Sequence, residues 1–190
     1  MRLSLIREAA RIMAEEGVAD YGFAKRKAAE RLGAPDTRNL PSNREVQEAL
    51  IEYQQIFGDA EREAGLRTLR RRAVEAMEFF ARFRPRLVGS VLSGTAGADS
   101  DIQLHLFSDT PEAVAFFLME HGIPYESGER RLRFGRGDWV THPAFRFVAG
   151  GAAVELIVFD ELGLREAPRS EVHGRPMERA SVEAVRELIA

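Results

Sequence analysis

The stretch RLVGSVLSGTAGADSDIQLHLF, residues 86–107, decides the fold that we expect for this chain. It contains an apolar run ending at Gly89-Ser90, a glycine-rich segment, and an alternating run that opens at Asp101. This order predicts a strand, a turn of the size that receives a phosphate, and a second strand. Residues two apart on a strand point to the same face, so Asp101 and Gln103 are expected to aim at one site.

A second acidic position lies in the run AAVELIVF, where Glu155 stands among apolar residues. Mg²⁺ prefers carboxylate oxygens together with substrate phosphates, and the two strands would offer it Asp101 and Glu155. Gln103 is neutral, and its amide oxygen binds a cation more weakly than a carboxylate does. Gly89 lets the backbone approach a phosphate closely, while Ser90 offers a hydroxyl and an N–H. These residue types favour a phosphate ligand held together with a cation.

The pattern of this stretch resembles the signature of the DNA polymerase beta-like nucleotidyltransferase superfamily. In that superfamily a hydrophobic residue followed by Gly-Ser precedes a strand of the form Ser-Asp-hydrophobic-Asp-hydrophobic. The matching positions here are Val88-Gly89-Ser90 and Ser100-Asp101-Ile102-Gln103-Leu104. The chain departs from the pattern at Gln103, which stands where the superfamily has its second acid.

The resemblance implies an α+β fold, a nucleotidyltransferase-like small mixed β-sheet with helices on one side, preceded by an N-terminal α-helical region. It also implies an NTP substrate, with Asp101 and Glu155 as catalytic residues and, together with Gln103, as ligands of Mg²⁺. Gly89 and Ser90 would contact the nucleotide. The acceptor of the nucleotidyl group could be a protein, an RNA or a small molecule, and the sequence does not identify it.

Three functions stay open at this level. The first is transfer of a nucleoside monophosphate from an NTP to the acceptor. The second, motivated by Gln103, is a degenerate, non-catalytic member of the fold that binds a nucleotide or a protein partner. The third is a helix-turn-helix-like DNA-binding regulator built from the N-terminal helices. The loop at residues 34–41 is longer than the usual turn of that motif, and the third helix is acidic, so the sequence does not favour DNA as a partner.

Hydrophobic periodicity divides the chain near residue 58. Residues 1–58 are predicted to form the N-terminal helical region, and residues 59–190 the nucleotidyltransferase-like domain, which opens with a connecting helix at 59–83. Ser42 and Glu45 predict a capping box at the start of the third N-terminal helix. The buried stripe predicted for that helix consists of Val46, Leu50, Tyr53 and Phe57.

Arginines are concentrated along the connecting helix and into the first strand: Arg67, Arg70, Arg71, Arg72, Arg82, Arg84 and Arg86. They form either a positive surface for RNA or a triphosphate tail, or a solvated helix face paired with nearby glutamates. Arg84 and Arg86 stand at the mouth of the Gly-Ser strand. These two are therefore the predicted nucleotide contacts of the set.

The rest of the domain is predicted from its turn residues. Thr110-Pro111 predicts the start of a helix, because proline suits the first helical position. Gly150-Gly151 predicts a tight hairpin turn, with Glu155 on the return strand. This order of helix and hairpin, with Glu155 on the last strand, is what the resemblance implies for the third acid.

Two further features are ambiguous in the sequence. The segment LREAPRSEVHGRP, residues 164–176, is either a substrate clamp or a surface tail, since loops often carry function. His105 lies two residues beyond Gln103 on the same predicted strand face. It is either a neighbour of the site, acting as a ligand or proton carrier, or a histidine with an ordinary structural place in the strand.

Composition excludes several classes of function. The length of 190 residues suits one domain, or one domain with a helical appendage. The absence of cysteine excludes disulfides and cysteine-based zinc sites. A net charge of −3 gives no bulk attraction to nucleic acid or membranes. The start MRLSLIREAARIM is not expected to be a signal peptide, and no run approaches the roughly 20 apolar residues of a membrane span, so we expect a cytoplasmic protein without a membrane partner.

Overall fold

In a computed structural model, the chain divides into two compact units. The first contains residues 1–65, 97–99 and 171–174, and the second contains residues 66–96, 100–170 and 175–190. The structure describes every residue except Asp36, Asp59 and Arg136. The predicted helix start at Asp59 therefore lies outside the described residues, and the predicted boundary near residue 58 stays a prediction. None of the described helices combines the length and apolar character that a membrane crossing requires.

The first unit is built on three helices: α1 Arg2–Glu16, α2 Tyr21–Arg31 and α3 Asn43–Phe57. The capping box predicted for α3 is confirmed, because Ser42 accepts from the Glu45 backbone N–H while the Glu45 carboxylate accepts from the Ser42 backbone N–H. The core of this unit consists of Leu5, Ala9, Ala10, Ile12, Met13, Ala24, Ala28, Ala29, Val46 and Leu50.

The stripe predicted for α3 is wrong at its C-terminal end. The buried positions are Val46, Leu50 and Gln54, and Phe57 is 67% exposed. Residues four apart lie on one side of a helix, so the side that begins with Val46 and Leu50 continues to Gln54 rather than to Tyr53 and Phe57. The Phe57 ring lies instead against the half-buried Tyr53, with their centroids 4.7 Å apart.

The DNA-binding alternative for this unit stays a prediction. Residues 32–42 separate α2 from α3, which is longer than a helix-turn-helix connection. Two basic residues of α2, Lys27 and Arg31, form ion pairs with Glu16 of α1. These cations therefore already face a carboxylate of their own unit.

The second unit combines a sheet with helices, as the α+β prediction requires. Its elements are α4 Ala60–Phe79, which enters the unit at Leu66, β1 Arg86–Val88, α5 Gly89–Ser93, β2 Ile102–Phe107, α6 Pro111–Glu120, β3 Glu126–Phe134, β4 Asp138–Ala149, β5 Ala152–Phe159 and α7 Val182–Ile189. Short 3-10 turns cover Ala81–Phe83 and Glu161–Leu164.

Five strands of the described part form one mixed sheet in the order β1-β2-β5-β4-β3. The pair β2 and β5 is parallel, and every other neighbouring pair is antiparallel. Parallel strands need a long connection between them. Here the chain between β2 and β5 runs through α6 and the β3–β4 hairpin, which brings it back to the end of the sheet where β2 begins. The predicted small mixed sheet, preceded by N-terminal helices, is confirmed.

The helices of the second unit pack on one face of the sheet. Alternate strand residues such as Ile102, Leu104, Leu156 and Val158 are buried there against Phe80. The remaining core residues from the α-helices are Ala73, Met77, Val91, Val114, Phe117, Leu118 and Val185. Because side chains alternate along a strand, the residues between them, Gln103 among these, lie on the opposite face.

The glycine pair predicted as a hairpin turn joins β4 and β5. Gly150 and Gly151 both have positive φ angles, 59° and 79°. A two-residue turn of this kind needs positive φ at both positions, which glycine adopts without steric cost. The turn sets a register in which Arg146 of β4 pairs with Glu155 of β5.

Three local predictions need correction. The connecting helix ends at Phe79 rather than at residue 83, because the chain tightens there into the 3-10 turn Ala81–Phe83, which ends at Arg84 with a left-handed φ of 50°. The segment predicted as a simple turn begins with a short helix, Gly89–Ser93. Asp101 lies just before β2, which begins at Ile102.

Candidate functional site

Five polar side chains gather on the sheet face opposite the helices. We call this group the polar end, and it consists of Asp101, Gln103, Arg130, Arg146 and Glu155. Two of its members, Gln103 and Glu155, are direct register partners on the parallel strands β2 and β5. This register places Gln103 beside Glu155, and the predicted meeting of Asp101 and Glu155 at one cation stays a prediction.

Gln103 occupies the centre of the polar end. Its side-chain Nε2 donates to Glu155 Oε2 at 3.1 Å. On its other side, a Cβ added to Gly89 would lie only 2.4 Å from the Gln103 Oε1. Gly89 has a φ of 75° and directly follows Val88, the antiparallel register partner of Gln103. The Gln103 amide oxygen therefore occupies part of the space beside Gly89 in which we predict a phosphate.

Asp101 is held by a two-pronged ion pair with Arg146. The Arg146 Nε donates to one carboxylate oxygen of Asp101 at 2.9 Å, and a terminal nitrogen donates to the other at 3.2 Å. This hydrogen-bonded carboxylate raises the pKa of Arg146 above its ordinary value. The side chains of Arg146 and Asp101 are 43% and 29% exposed, so solvent reaches the pair.

Glu155 is the buried carboxylate of the polar end, with only 3% of the residue exposed. One of its oxygens accepts from Gln103, and the other forms an ion pair with Arg130. A buried charge is tolerated when it is both paired and hydrogen-bonded, and Glu155 meets both conditions. The Arg130 side chain is 51% exposed, so its cation remains in contact with solvent.

The predicted Gly-Ser contact lies at the start of α5, directly after β1. Arg70 of α4 supports this turn, because it donates to the carbonyl oxygens of Val91 and Leu92 at 3.1 and 3.0 Å. Burial lowers the pKa of Arg70. The structure brings Gly89 to Gln103, and Ser90 follows it in the first turn of α5.

Arg84 and Arg86 are not brought to the polar end. Arg86 pairs in register with His105, two residues along β2 from Gln103, at the opposite end of β1 from Gly89. It donates to the Pro85 carbonyl at 3.0 Å, and Arg84 lies 3.3 Å from Glu161. Arg84 and Arg86 lie at the N-terminal end of β1, whereas Gly89 follows its C-terminal end. The two arginines and the Gly89 turn are therefore at opposite ends of the strand.

The donor set of the polar end decides which cation it suits. Among the described residues, no group of three or more acids and histidines is arranged to hold a metal ion. Two carboxylates and one amide offer hard oxygen donors, the type that Mg²⁺ accepts when it binds through one or two carboxylates. They do not make the three-acid set that the resemblance implies.

Sequence reasoning missed Arg130 and Arg146 as members of the site. A signal for Arg146 existed, because a two-residue turn at Gly150-Gly151 places it opposite Glu155 by counting outward along both strands. Arg130 reaches Glu155 from β3, which is separated from β5 by β4. No local pattern predicts a contact across an intervening strand.

The same sheet face carries a second cluster, which we call the aromatic end: His105, Phe107, His142, Phe159 and Arg179. His105 is fully buried and its Nδ1 accepts from the Arg179 Nε at 3.0 Å. Burial, followed by the neighbouring charge of Arg179, holds the pKa of His105 well below its usual range. The structure favours the second interpretation of His105, a histidine with a structural place in the strand. It is neutral and belongs to the aromatic end.

The Phe159 ring lies between the two histidines of the aromatic end, 4.5 Å from the His105 ring and 4.3 Å from the His142 ring. Arg179 lies over Phe159 with its guanidinium carbon 4.8 Å from the ring centroid. Burial lowers the pKa of His142, and lowers that of Arg179 to about 10. His142 Nδ1 lies 3.2 Å from the Val158 carbonyl oxygen, so it carries the proton of that ring.

Comparison with known proteins adds no relative. No protein-family model, no curated protein and no solved structure matches this chain. A function must therefore be inferred from the residues of the polar end and their chemistry.

Proposed function

We propose that the polar end binds a nucleoside triphosphate as its Mg²⁺ complex, as a degenerate, nucleotide-binding member of a nucleotidyltransferase-like fold. The observation that carries the proposal is the alternation of two carboxylates with two arginines around Gln103. Asp101 pairs with Arg146, and Glu155 pairs with Arg130.

The charge balance of this group selects its ligand. Two carboxylates and two guanidinium groups neutralise one another, so neither a bare anion nor a bare cation is strongly attracted. A Mg²⁺–triphosphate carries both signs. Its cation suits Asp101 and Glu155, and its phosphate oxygens suit Arg130 and Arg146, which bind phosphate in the same two-pronged way as carboxylate.

Exchange of partners costs little at the exposed positions. Ion pairs between solvent-exposed side chains contribute about 0–1 kcal/mol, and the side chains of Arg146 and Asp101 are 43% and 29% exposed. Arg146 can therefore leave Asp101 for a phosphate. Glu155 is buried, and the Gln103 amide holds one of its oxygens in place whichever cation faces the other.

Gln103 makes binding, rather than transfer, the better supported function. A two-metal clamp of the attacking and leaving oxygens gains from every carboxylate that its ligands provide. Gln103 replaces one negative charge with a neutral amide that already donates to Glu155 and faces Gly89. The site then attracts one Mg²⁺ brought by the nucleotide, and holds it less tightly than three acids would.

Nucleotidyl transfer is the second candidate, favoured by one observation. Arg146 contacts Asp101 and is the register partner of Glu155, which places both acids on one sheet face beside the Gly89 turn. In that case Mg²⁺ would polarise the phosphate under attack. The acceptor would be a protein, an RNA or a small molecule.

Calorimetric titration of the full chain tests the binding proposal. We expect ATP, GTP, CTP or UTP with Mg²⁺ to bind with a dissociation constant below about 1 mM, whereas the nucleotide in EDTA and Mg²⁺ alone bind weakly or not at all. Asp101→Asn and Arg146→Gln should each weaken binding by about 10-fold or more, the effect of losing one charged contact.

Asp99→Asn is the matched control, because it removes the same charge from an exposed residue two positions away. It should leave the dissociation constant unchanged. The proposal fails if no nucleotide binds with Mg²⁺, or if Asp101→Asn behaves like Asp99→Asn.

A turnover assay separates the two candidates. Incorporation of label from an α-³²P NTP into the chain itself or into RNA, lost in Asp101→Asn, would establish transfer and reject the non-catalytic proposal. Nucleotide binding without incorporation of label supports the non-catalytic proposal. In that case Gln103→Asp alone should not create activity, because Glu155 then loses the amide that fixes its position.

A further inference from the structure

The tip of the β3–β4 hairpin presents an aromatic and basic surface that the polar end does not use. Trp139, the only tryptophan of the chain, is 53% exposed. The Arg131 guanidinium lies over its ring at 5.2 Å from the centroid. Arg133 is the register partner of Trp139 on β3. We call Arg131, Arg133 and Trp139 the Trp139 patch.

Strand alternation fixes the direction of this patch. Arg131 and Arg133 are both exposed, whereas Leu132 and Phe134 point to the other face and pack against the aromatic end. The hairpin is therefore anchored from one side by its apolar residues. The Trp139 patch lies on the opposite side, on the paired residues of the two strands.

We propose that the Trp139 patch binds single-stranded nucleic acid. An exposed indole provides a flat surface on which a base can stack, and stacking of this kind accepts any base. Two guanidinium groups beside it suit the phosphates on either side of the stacked base. Net charge does not oppose this binding, because a local basic patch can act against a net charge of −3.

Other occupants fit the patch less well. Strand addition by a second copy along the β3 edge is disfavoured by the charged residues of that strand, which are Glu126, Glu129, Arg130, Arg131 and Arg133. An acidic protein surface would pair with the arginines but would leave the indole face without a partner. A nucleic acid strand uses both the ring and the cations.

This inference does not rest on nucleotide binding at the polar end. The two surfaces share no residue, and Arg130, which faces Glu155, lies on the opposite face of β3 from Arg131 and Arg133. Either proposal can fail without the other.

Intrinsic fluorescence of the full chain is the direct test, because the one tryptophan is itself the reporter. Titration with a single-stranded RNA or DNA of about 10 nucleotides should quench Trp139, and an equal duplex should quench it far less. Binding of labelled strand, followed by anisotropy, should weaken about 10-fold in Trp139→Ala and recover largely in Trp139→Phe, which keeps a ring for stacking.

The arginines are tested through salt dependence. Arg131→Gln combined with Arg133→Gln should reduce the slope of log K against log salt by about 1.4, the value for two lost phosphate contacts on a single strand. The control is Arg7→Gln combined with Arg44→Gln, which removes the same charge from exposed positions of the first unit. Circular dichroism confirms that each variant is folded.

Three outcomes would overturn the proposal. They are absence of quenching by any single strand at about 50 mM salt, equal loss of binding in the control pair, and equal quenching by poly-glutamate, which would assign the patch to an acidic protein. Concentration-dependent dimerisation abolished by Trp139→Ala would also overturn it, in favour of a second copy of the chain.

Discussion

The two ends of one sheet face bury ionisable groups in opposite ways. At the polar end, Glu155 is 3% exposed and faces a cation, Arg130, together with the Gln103 amide. At the aromatic end, His105 is fully buried and also faces a cation, Arg179. The carboxylate is paired with its neighbouring cation, whereas burial first, and the charge of Arg179 second, holds the pKa of the histidine well below its usual range.

This difference separates a surface for ligands from a surface for stability. Partners at the polar end are half-exposed arginines, which under the proposed function would exchange carboxylate for phosphate. Partners at the aromatic end are rings packed about Phe159, and their exchange would cost packing. We therefore expect changes at the aromatic end to alter stability most, and changes at the polar end to alter binding most.

The largest effect on stability is expected for Phe159→Ala. Removal of a buried phenylalanine costs about 3–5 kcal/mol of unfolding free energy, and Phe159 contacts both histidines and Arg179. Urea denaturation measures the change. Phe116→Ala, at a ring that is 62% exposed, is the control and should cost well under about 1 kcal/mol. Similar costs for the two variants would contradict a structural role for the aromatic end.

The next effect is expected for Gly89→Ala, at about 2–3 kcal/mol. A non-glycine residue with a left-handed backbone costs about 1–2 kcal/mol, and the new Cβ would also overlap the Gln103 Oε1. Gly122→Ala is the matched control, because its φ is 64° and a Cβ there meets no atom within 4 Å. In a Gln103→Ala background, Gly89→Ala should cost only the backbone part, about 1–2 kcal/mol, and an undiminished cost there would mean that Gln103 does not pack on Gly89.

The pH dependence of stability should follow the aromatic end. In the folded chain the pKa values of His105 and His142 lie below 6.5, so the unfolded chain takes up protons first as the pH falls below 6.5. Stability is therefore full above that pH and decreases below it, by about 1.4 kcal/mol per pH unit for each histidine while it stays neutral in the fold.

Chemical denaturation between pH 7.5 and pH 5 checks this slope. His105→Asn should reduce the slope, because the Asn oxygen can replace Nδ1 as the acceptor for Arg179 without titrating. An equal slope in wild-type and His105→Asn would show that His105 is not held neutral.

The smallest effect on stability is expected for the Asp101–Arg146 ion pair. A double-mutant cycle of Asp101→Asn and Arg146→Gln should give a coupling of about 0.2–1 kcal/mol, as for other solvent-exposed pairs. The same variants should weaken Mg²⁺–nucleotide binding by about 10-fold or more. A coupling above about 2 kcal/mol would show that the ion pair stabilises the fold. The polar end would then no longer differ from the aromatic end in its contribution to stability.

The residue types of the candidate site and the alternation along each strand were predictable from the sequence. That Gly89 lies next to Gln103, and Glu155 beside it, depends on the pairing of separate strands, which the structure supplies. The placement of Arg84 and Arg86 was not predictable either, because it depends on which end of β1 meets the site. Arg84 and Arg86 are near Gly89 in the sequence but not in space, because the distance between two residues grows with each position along an extended strand.

The sequence by itself determined the elements and their class. Capping at Ser42, the glycine pair at 150 and 151, and apolar alternation are local effects, which act between neighbours and need no partner from elsewhere in the chain. Only the tertiary structure decided that each carboxylate of the polar end faces an arginine, and that His105 belongs to the aromatic end. Those contacts join residues far apart in the chain, and the register and twist of the sheet set them.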